Sequence, residues 1–164
     1  MKTLVIVRHA KSSWDNLSLS DHERPLNKRG ERDAPMMGAR LADWGPPVDR
    51  VISSSAVRAL TTAEIITREM GFPWDEIQIE DGLYHATEED MLDLIQEQDD
   101  YIDGLMLFGH NPGMTYLVND LSNLDLDNLP TCGVVVLKFD VYSWSEIGEQ
   151  AAISAETDFP KEHR

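Results

Sequence analysis

Thr3-Leu4-Val5-Ile6-Val7-Arg8-His9-Ala10-Lys11-Ser12-Ser13 carries a run of apolar, largely β-branched residues that stops abruptly at Arg-His. Val5, Ile6 and Val7 lack the polar alternation of a half-solvated strand, so the segment reads as a strand buried on both faces, as in α/β sheets. Functional groups of such sheets sit beyond the carboxyl ends of the strands, which is where Arg8 and His9 would project.

The same pattern recurs further along the chain. Val48 to Ser53 reads as a short strand running into Ser53-Ser54-Ser55, with Arg58 just inside the helix expected from Ser54 or Ser55 to about Met70. Leu105-Met106-Leu107-Phe108 is another uninterrupted apolar strand, and it ends in Gly109-His110-Asn111-Pro112. Between these lie helical patterns. Asn27 caps a helix to about Asp43, inside which Pro35 should kink or split the axis. Thr87 followed by Glu88, Glu89 and Asp90 starts another helix, the acids complementing its dipole. Asn111 as cap and Pro112 at the first position open a third, with Met114, Leu117, Val118 and Leu121 at helical spacing. Ile77 to Glu80 reads as a weak strand, Val134 to Phe139 as a strand, and Ala151 to Ala155 as an edge strand. The expected fold is a three-layer α/β sandwich, a largely parallel central sheet with helices on both faces, in one domain spanning residues 1–164 with the last residues, about 157–164, frayed.

Composition narrows the function. A chain of 164 residues with 41% hydrophobic and 27% charged residues can bury a core without staples. No apolar run approaches a membrane span, and the start leads straight into a strand, so the expected location is cytoplasmic. The single cysteine, Cys132, precludes an internal disulfide and reads as a small buried thiol. A formal net charge of -16 opposes nucleic acid and anionic membrane as partners. Any anion site must therefore be built from locally clustered cations, which makes the position of each arginine informative.

Parallel neighbouring strands would bring the ends at His9, Ser54 and His110 to one edge of the sheet. Two arginines, two histidines and a helix N-terminus there make a phosphate-sized cationic pocket, arginine offering bidentate donors and the helix its unpaired N–H groups. Singly, each arginine is ordinarily a surface charge and each histidine a satisfied structural residue. Recurrence at successive strand ends is what distinguishes them. A metal held by His9, His110 and Asp21 has no support in spacing, and neighbouring arginines would repel a cation, so neither metal nor other cofactor is expected.

Arg8-His9-Ala10, Asp21 through Arg24-Pro25-Leu26-Asn27 to Gly30, Ser53-Ser54-Ser55-Ala56-Val57-Arg58-Ala59 with Thr62-Ala63, and Gly109-His110-Asn111-Pro112 resemble the histidine phosphatase superfamily, which includes the phosphoglycerate mutases. Lys11-Ser12 and Leu83-Tyr84-His85-Ala86 are most similar to its small SixA-type phosphohistidine phosphatase branch. The resemblance implies a phosphoglycerate mutase-like fold and a metal-independent phosphatase acting on a phosphomonoester or phosphoramidate. It casts His9 as the nucleophile that becomes a transient phosphohistidine, with Arg8, Arg58 and His110 clamping the phosphoryl oxygens. Protein phosphohistidine is the implied substrate; a small phosphorylated metabolite or nucleotide is the alternative, and a phosphate-binding module without turnover is the rival of another class.

Two positions depart from the family pattern. Ala10 replaces the glycine that usually follows the first histidine, a small change. No carboxylate stands where the mutase-like members carry their acid, which leaves Glu80, Asp81, Asp21 and His85 as candidates and none assigned. That absence suits phosphoramidates and other activated phosphates, whose leaving groups need protonation less than an alcohol does. Ser12, Lys11 and Arg24 are candidate substrate contacts, with Trp14 at the mouth; Arg24 equally suits a loop clasp with Asp21. His22 and His163 read as solvent-exposed.

Overall fold

A computed structural model of the chain describes residues 1–164. The sheet is built from β1 (Lys2–Arg8), β2 (Arg50–Ser53), β3 (Gln78–Ile79), β4 (Gly104–Gly109), β5 (Val134–Phe139) and β6 (Ser154–Asp158), in the order β3-β2-β4-β1-β5-β6. The pairs β3–β2, β2–β4 and β4–β1 are parallel, whereas β5 runs antiparallel to both β1 and β6. The expected α/β architecture with a largely parallel sheet is therefore the observed one, and β5 alone is reversed.

Both faces of the sheet are covered, as the continuous apolar strands require. On one face Val5 and Val7 of β1 join Met106 and Phe108 of β4 in a core of 15 buried residues, closed by α1 (Lys28–Trp44) and α2 (Val57–Met70) through Ala34, Met37, Leu41, Ala63 and Ile66. On the other face the alternate residues Leu4, Ile6, Leu105 and Leu107 join a core of 19, closed by α3 (Glu88–Gln96), α4 (Gly113–Leu121) and Trp144. The period of two along each strand thus divides the run between two cores instead of between core and solvent. No helix is long and apolar enough to cross a membrane.

Several local expectations need correction. Helix α1 runs uninterrupted through Pro35. The carbonyl that proline leaves free belongs to exposed Glu31, where water can satisfy it, while Ala34 and Met37 on either side anchor the axis in the core. Helix α2 begins at Val57, after Ser54 and Ser55, and α4 begins at Gly113, with Asn111 accepting from the Thr115 hydroxyl at 2.9 Å. The edge strand lies about three residues beyond Ala151–Ala155.

The C-terminal residues 157–164, expected to fray, are tied down. Asp158 accepts from Arg40 Nε at 2.8 Å and pairs with His163 Nε2 at 2.5 Å, and Arg164 donates to fully buried Asp33 at 3.0 Å. Charge pairing to carboxylates on β6 and α1 does what hydrophobic patterning gave no sign of. His163 is consequently half-buried, and so is His22, whose Nε2 lies 2.9 Å from Ser55 Oγ; neither is the free surface histidine expected.

The first turn of α1 holds the segment after β1. Asn27 accepts from the Gly30 amide at 2.9 Å and its own amide donates to Lys11 O at 3.0 Å. A Cβ at Gly30 would stand 2.2 Å from Lys11 O, a backbone atom that cannot yield cheaply. Gly30→Ala is expected to destabilise the protein by about 1–3 kcal/mol and, by displacing Lys11 and Ser12, to lower phosphatase turnover; chemical denaturation and steady-state kinetics on the purified variant would check both.

Candidate active site

The ends of β1, β4 and β2 lie side by side, and the segments leaving them converge on a cavity of about 420 Å³. Arg8, His9, Arg58 and His110 all line it, together with Lys11, Ser12, Trp14 and Arg24 from the first loop. The expected constellation is thus assembled. Ala10 is anchored behind it: its amide donates to Thr62 Oγ1 at 3.0 Å, and that hydroxyl donates to Arg58 O at 2.7 Å, joining the His9 segment to the helix that carries Arg58.

His9 is 7% exposed, with its ring centroid 5.1 Å from that of His110. Its Nδ1 lies 2.8 Å from Ala10 O. A carbonyl only accepts, so Nδ1 carries the proton and Nε2 keeps its lone pair. Burial, and then the positive charges of Arg58, Arg8 and Arg24, lower the His9 pKa to about 4 against the one raising influence, that same Ala10 carbonyl. Burial again, then His9 and Arg58, lower His110 to about 3, and its Nε2 lies 2.8 Å from Ser54 Oγ. Both imidazoles are neutral at pH 7.

Asp21 ties the cations together. Arg58 donates to Asp21 O at 2.7 Å and to Oδ2 at 3.0 Å, Arg24 donates from Nε to Oδ1 at 3.1 Å, and the Tyr84 hydroxyl donates to Oδ2 at 2.5 Å. The Tyr84 hydroxyl first, and the arginines after it, hold this carboxyl well below the usual carboxylate range. Arg24 also donates to Ser12 Oγ at 2.7 Å and lies flat on Trp14, 3.5 Å from the ring centroid. Arg24 thus clasps Asp21 and lines the cavity as well.

The candidates for a proton donor separate clearly. Glu80 accepts from the Gly82 amide, caps the 3₁₀ turn Asp81–Leu83 and, like Asp81, does not line the cavity. Asp21 is an ionised hub. His85 lines the cavity, stacked on Tyr84 with centroids 4.1 Å apart. Cys132 is fully buried behind β1, and burial pushes its thiol up to about 12, the state of an inert core group.

The sequence gives no site role to Tyr84, Asn111 or Thr131, which also line the cavity, or to Leu129, whose carbonyl accepts from Arg8 at 3.0 Å. Tyr84 lay inside a quoted motif, but nothing in its spacing announced its bond to Asp21. Residues 129–131 precede β5, and only the reversal of β5 brings the start of a strand to the edge where the others end.

The model of the histidine phosphatase superfamily (branch 1) matches residues 4–87. An uncharacterised chloroplastic protein of Arabidopsis thaliana is 32% identical over 153 residues, 88% of this chain and 70% of its own. Among solved structures, a SixA protein of Agrobacterium tumefaciens superposes with a TM-score of 0.77 at 30% identity, covering 84% of this chain and 92% of that one. The protein histidine phosphatase SixA complexed with tungstate superposes with a TM-score of 0.80 over 99% of both chains, a likeness of fold at 18% identity. The chain belongs to branch 1 of the histidine phosphatase superfamily, in its SixA-type group, and is a phosphatase.

Proposed function

We propose that this phosphatase works through a phosphoryl group carried on His9 and that its substrate is protein phosphohistidine. The observation that carries the reading is His9 itself, a buried neutral imidazole with Nδ1 held by Ala10 O and Nε2 free, set between two guanidiniums. The Nε–H groups of Arg8 and Arg58 are buried without an acceptor in the protein, and an oxyanion between the two arginines would supply what they lack.

In this mechanism Nε2 of His9 attacks phosphorus and the P–N bond forms as the leaving group departs in line. Arg8 and Arg58 neutralise the equatorial oxygens, and neutral His110 offers a hydrogen bond without adding charge. Water then attacks the phosphohistidine and the electron pair of the P–N bond returns to His9. Charge neutralisation and positioning are the main demands of phosphoryl transfer, and a preformed cationic pocket meets both.

The pocket mouth favours a protein-borne group. Of the lining residues Trp14 is 66% exposed and His85 also faces solvent, so the walls stand open instead of closing over a small ligand. Imidazole is also a leaving group that water can protonate on its far nitrogen, which suits a site without a carboxylic acid. The tungstate held by the SixA structure, a tetrahedral oxyanion, is in keeping with a phosphoryl pocket in this fold.

His9→Ala is expected to lower turnover of a phosphohistidine peptide to background while leaving thermal unfolding near that of the parent, and the parent is expected to form an alkali-stable, acid-labile phosphoryl group on His9 detectable by mass spectrometry. Full turnover in the variant would refute the mechanism. A peptide no better than sugar phosphates or nucleotides would move the substrate assignment to small metabolites.

The protonation states make a second expectation. An unfolded imidazole titrates near ~6.5, whereas His9 and His110 do so at about 4 and about 3. Between those values the unfolded chain binds protons that the native one does not. The contribution of these residues to stability is therefore intact above the unfolded value and lost as pH falls through that window. NMR titration should find the His9 ring still neutral at pH 5, and titration near 6.5 would contradict the site described here.

A further inference from the structure

None of the 12 residues lining the cavity is a carboxylate, so a side chain that protonates the leaving group there must be of another type. His9 and His110 are neutral and buried, His9 with its proton committed to Ala10 O and His110 with Nε2 against Ser54. The Tyr84 hydroxyl is turned away to Asp21, and burial, then that carboxylate, raises its pKa. Lys11 brings an ammonium, a point charge suited to holding phosphoryl oxygens. His85 remains, an exposed imidazole on the cavity wall.

Its position suits the task. The rings of His9, His110, Tyr84 and His85 neighbour one another in turn, with successive centroids 5.1, 5.6 and 4.1 Å apart, from buried His9 to exposed His85. In-line displacement puts the leaving group opposite the nucleophile. With His9 at the buried floor, the leaving group lies towards the mouth, on the side where His85 stands. Imidazole is the side chain that both gives and takes a proton near neutral pH.

We infer that His85 is the catalytic acid of this site, giving the enzyme a phosphomonoesterase activity on alcohol leaving groups in addition to cleavage of labile P–N bonds. The inference rests on the His9 mechanism proposed above. As Nε2 of His9 bonds to phosphorus and the P–O bond breaks, the imidazolium of His85 gives its proton to the departing oxygen, so the alcohol leaves neutral and His85 becomes neutral. In the second half, water attacks phosphorus, its proton passes to His85, and the P–N electron pair returns to His9. The products are the alcohol and phosphate, and both histidines are restored.

Leaving-group dependence tests this. For the parent, His85→Gln and His85→Ala, kcat/KM would be measured across aryl phosphates of graded leaving-group pKa, an alkyl phosphate and a phosphohistidine peptide, with phosphoryl-His9 followed in the same samples. The variants are expected to lose about 100-fold on the alkyl ester but less than about tenfold on 4-nitrophenyl phosphate and on the peptide, which the same acid assists least. The parent's alkaline limb on the ester should disappear in both variants. An equal loss across the series, or none, would overturn the role of His85 while trapped phosphoryl-His9 leaves the mechanism standing. Failure of the parent to phosphorylate His9 would overturn both.

Discussion

Cationic side chains gathered at the ends of buried strands repel one another, and the structure sets much of that repulsion against one carboxylate, Asp21. Like charges ~5 Å apart at an effective dielectric near ~20 repel by about 3 kcal/mol a pair. Asp21 accepts from Arg58 and Arg24 at once and is itself fixed by Tyr84. The loop carrying Asp21, the first turn of α2 and the turn after β3 are thereby joined by one ionised group. His9 and His110 relieve the cluster in another way, since burial among cations keeps both neutral. The crowding that makes an anion welcome is also what leaves His9 with an available lone pair.

The sheet makes this crowding possible. The chain crosses β1, β2 and β4 in the same direction, and the spatial order β2-β4-β1 makes their carboxyl ends adjacent although their sequence positions are about fifty residues apart. Arg8 and His9 follow one strand, Ser54 and Arg58 the next, His110 the third. Each side chain sits on or just after a strand with both faces packed, or in the helix that follows one, so its position is backed by a core and not by a loop alone.

This arrangement was legible in the sequence because its cause is local. An apolar run that stops at a polar residue announces a buried strand and its end, and three such runs announce a shared edge. The proline in α1 misled because propensity counts a lost hydrogen bond, whereas the packing of Ala34 and Met37 decides the outcome. Tyr84, Thr131 and the anchored C-terminus were not legible because their roles come from pairings across the fold. Tyr84 matters through a residue 63 positions away, and Arg164 through one 131 positions away. Neither partner can be inferred from periodicity.

The charge of the whole molecule bears on what reaches the pocket. A small phosphorylated metabolite is itself an anion and must approach a surface of net charge -16 before it meets Arg8 and Arg58. A phosphoryl group on a protein side chain arrives with a carrier whose own surface can be neutral or basic, so attraction to the acidic exterior and to the cationic pocket add instead of opposing. Screening shortens the reach of the exterior field to about 8 Å at physiological salt, whereas contacts inside a 420 Å³ cavity are much closer. The exterior therefore governs encounter and the pocket governs commitment.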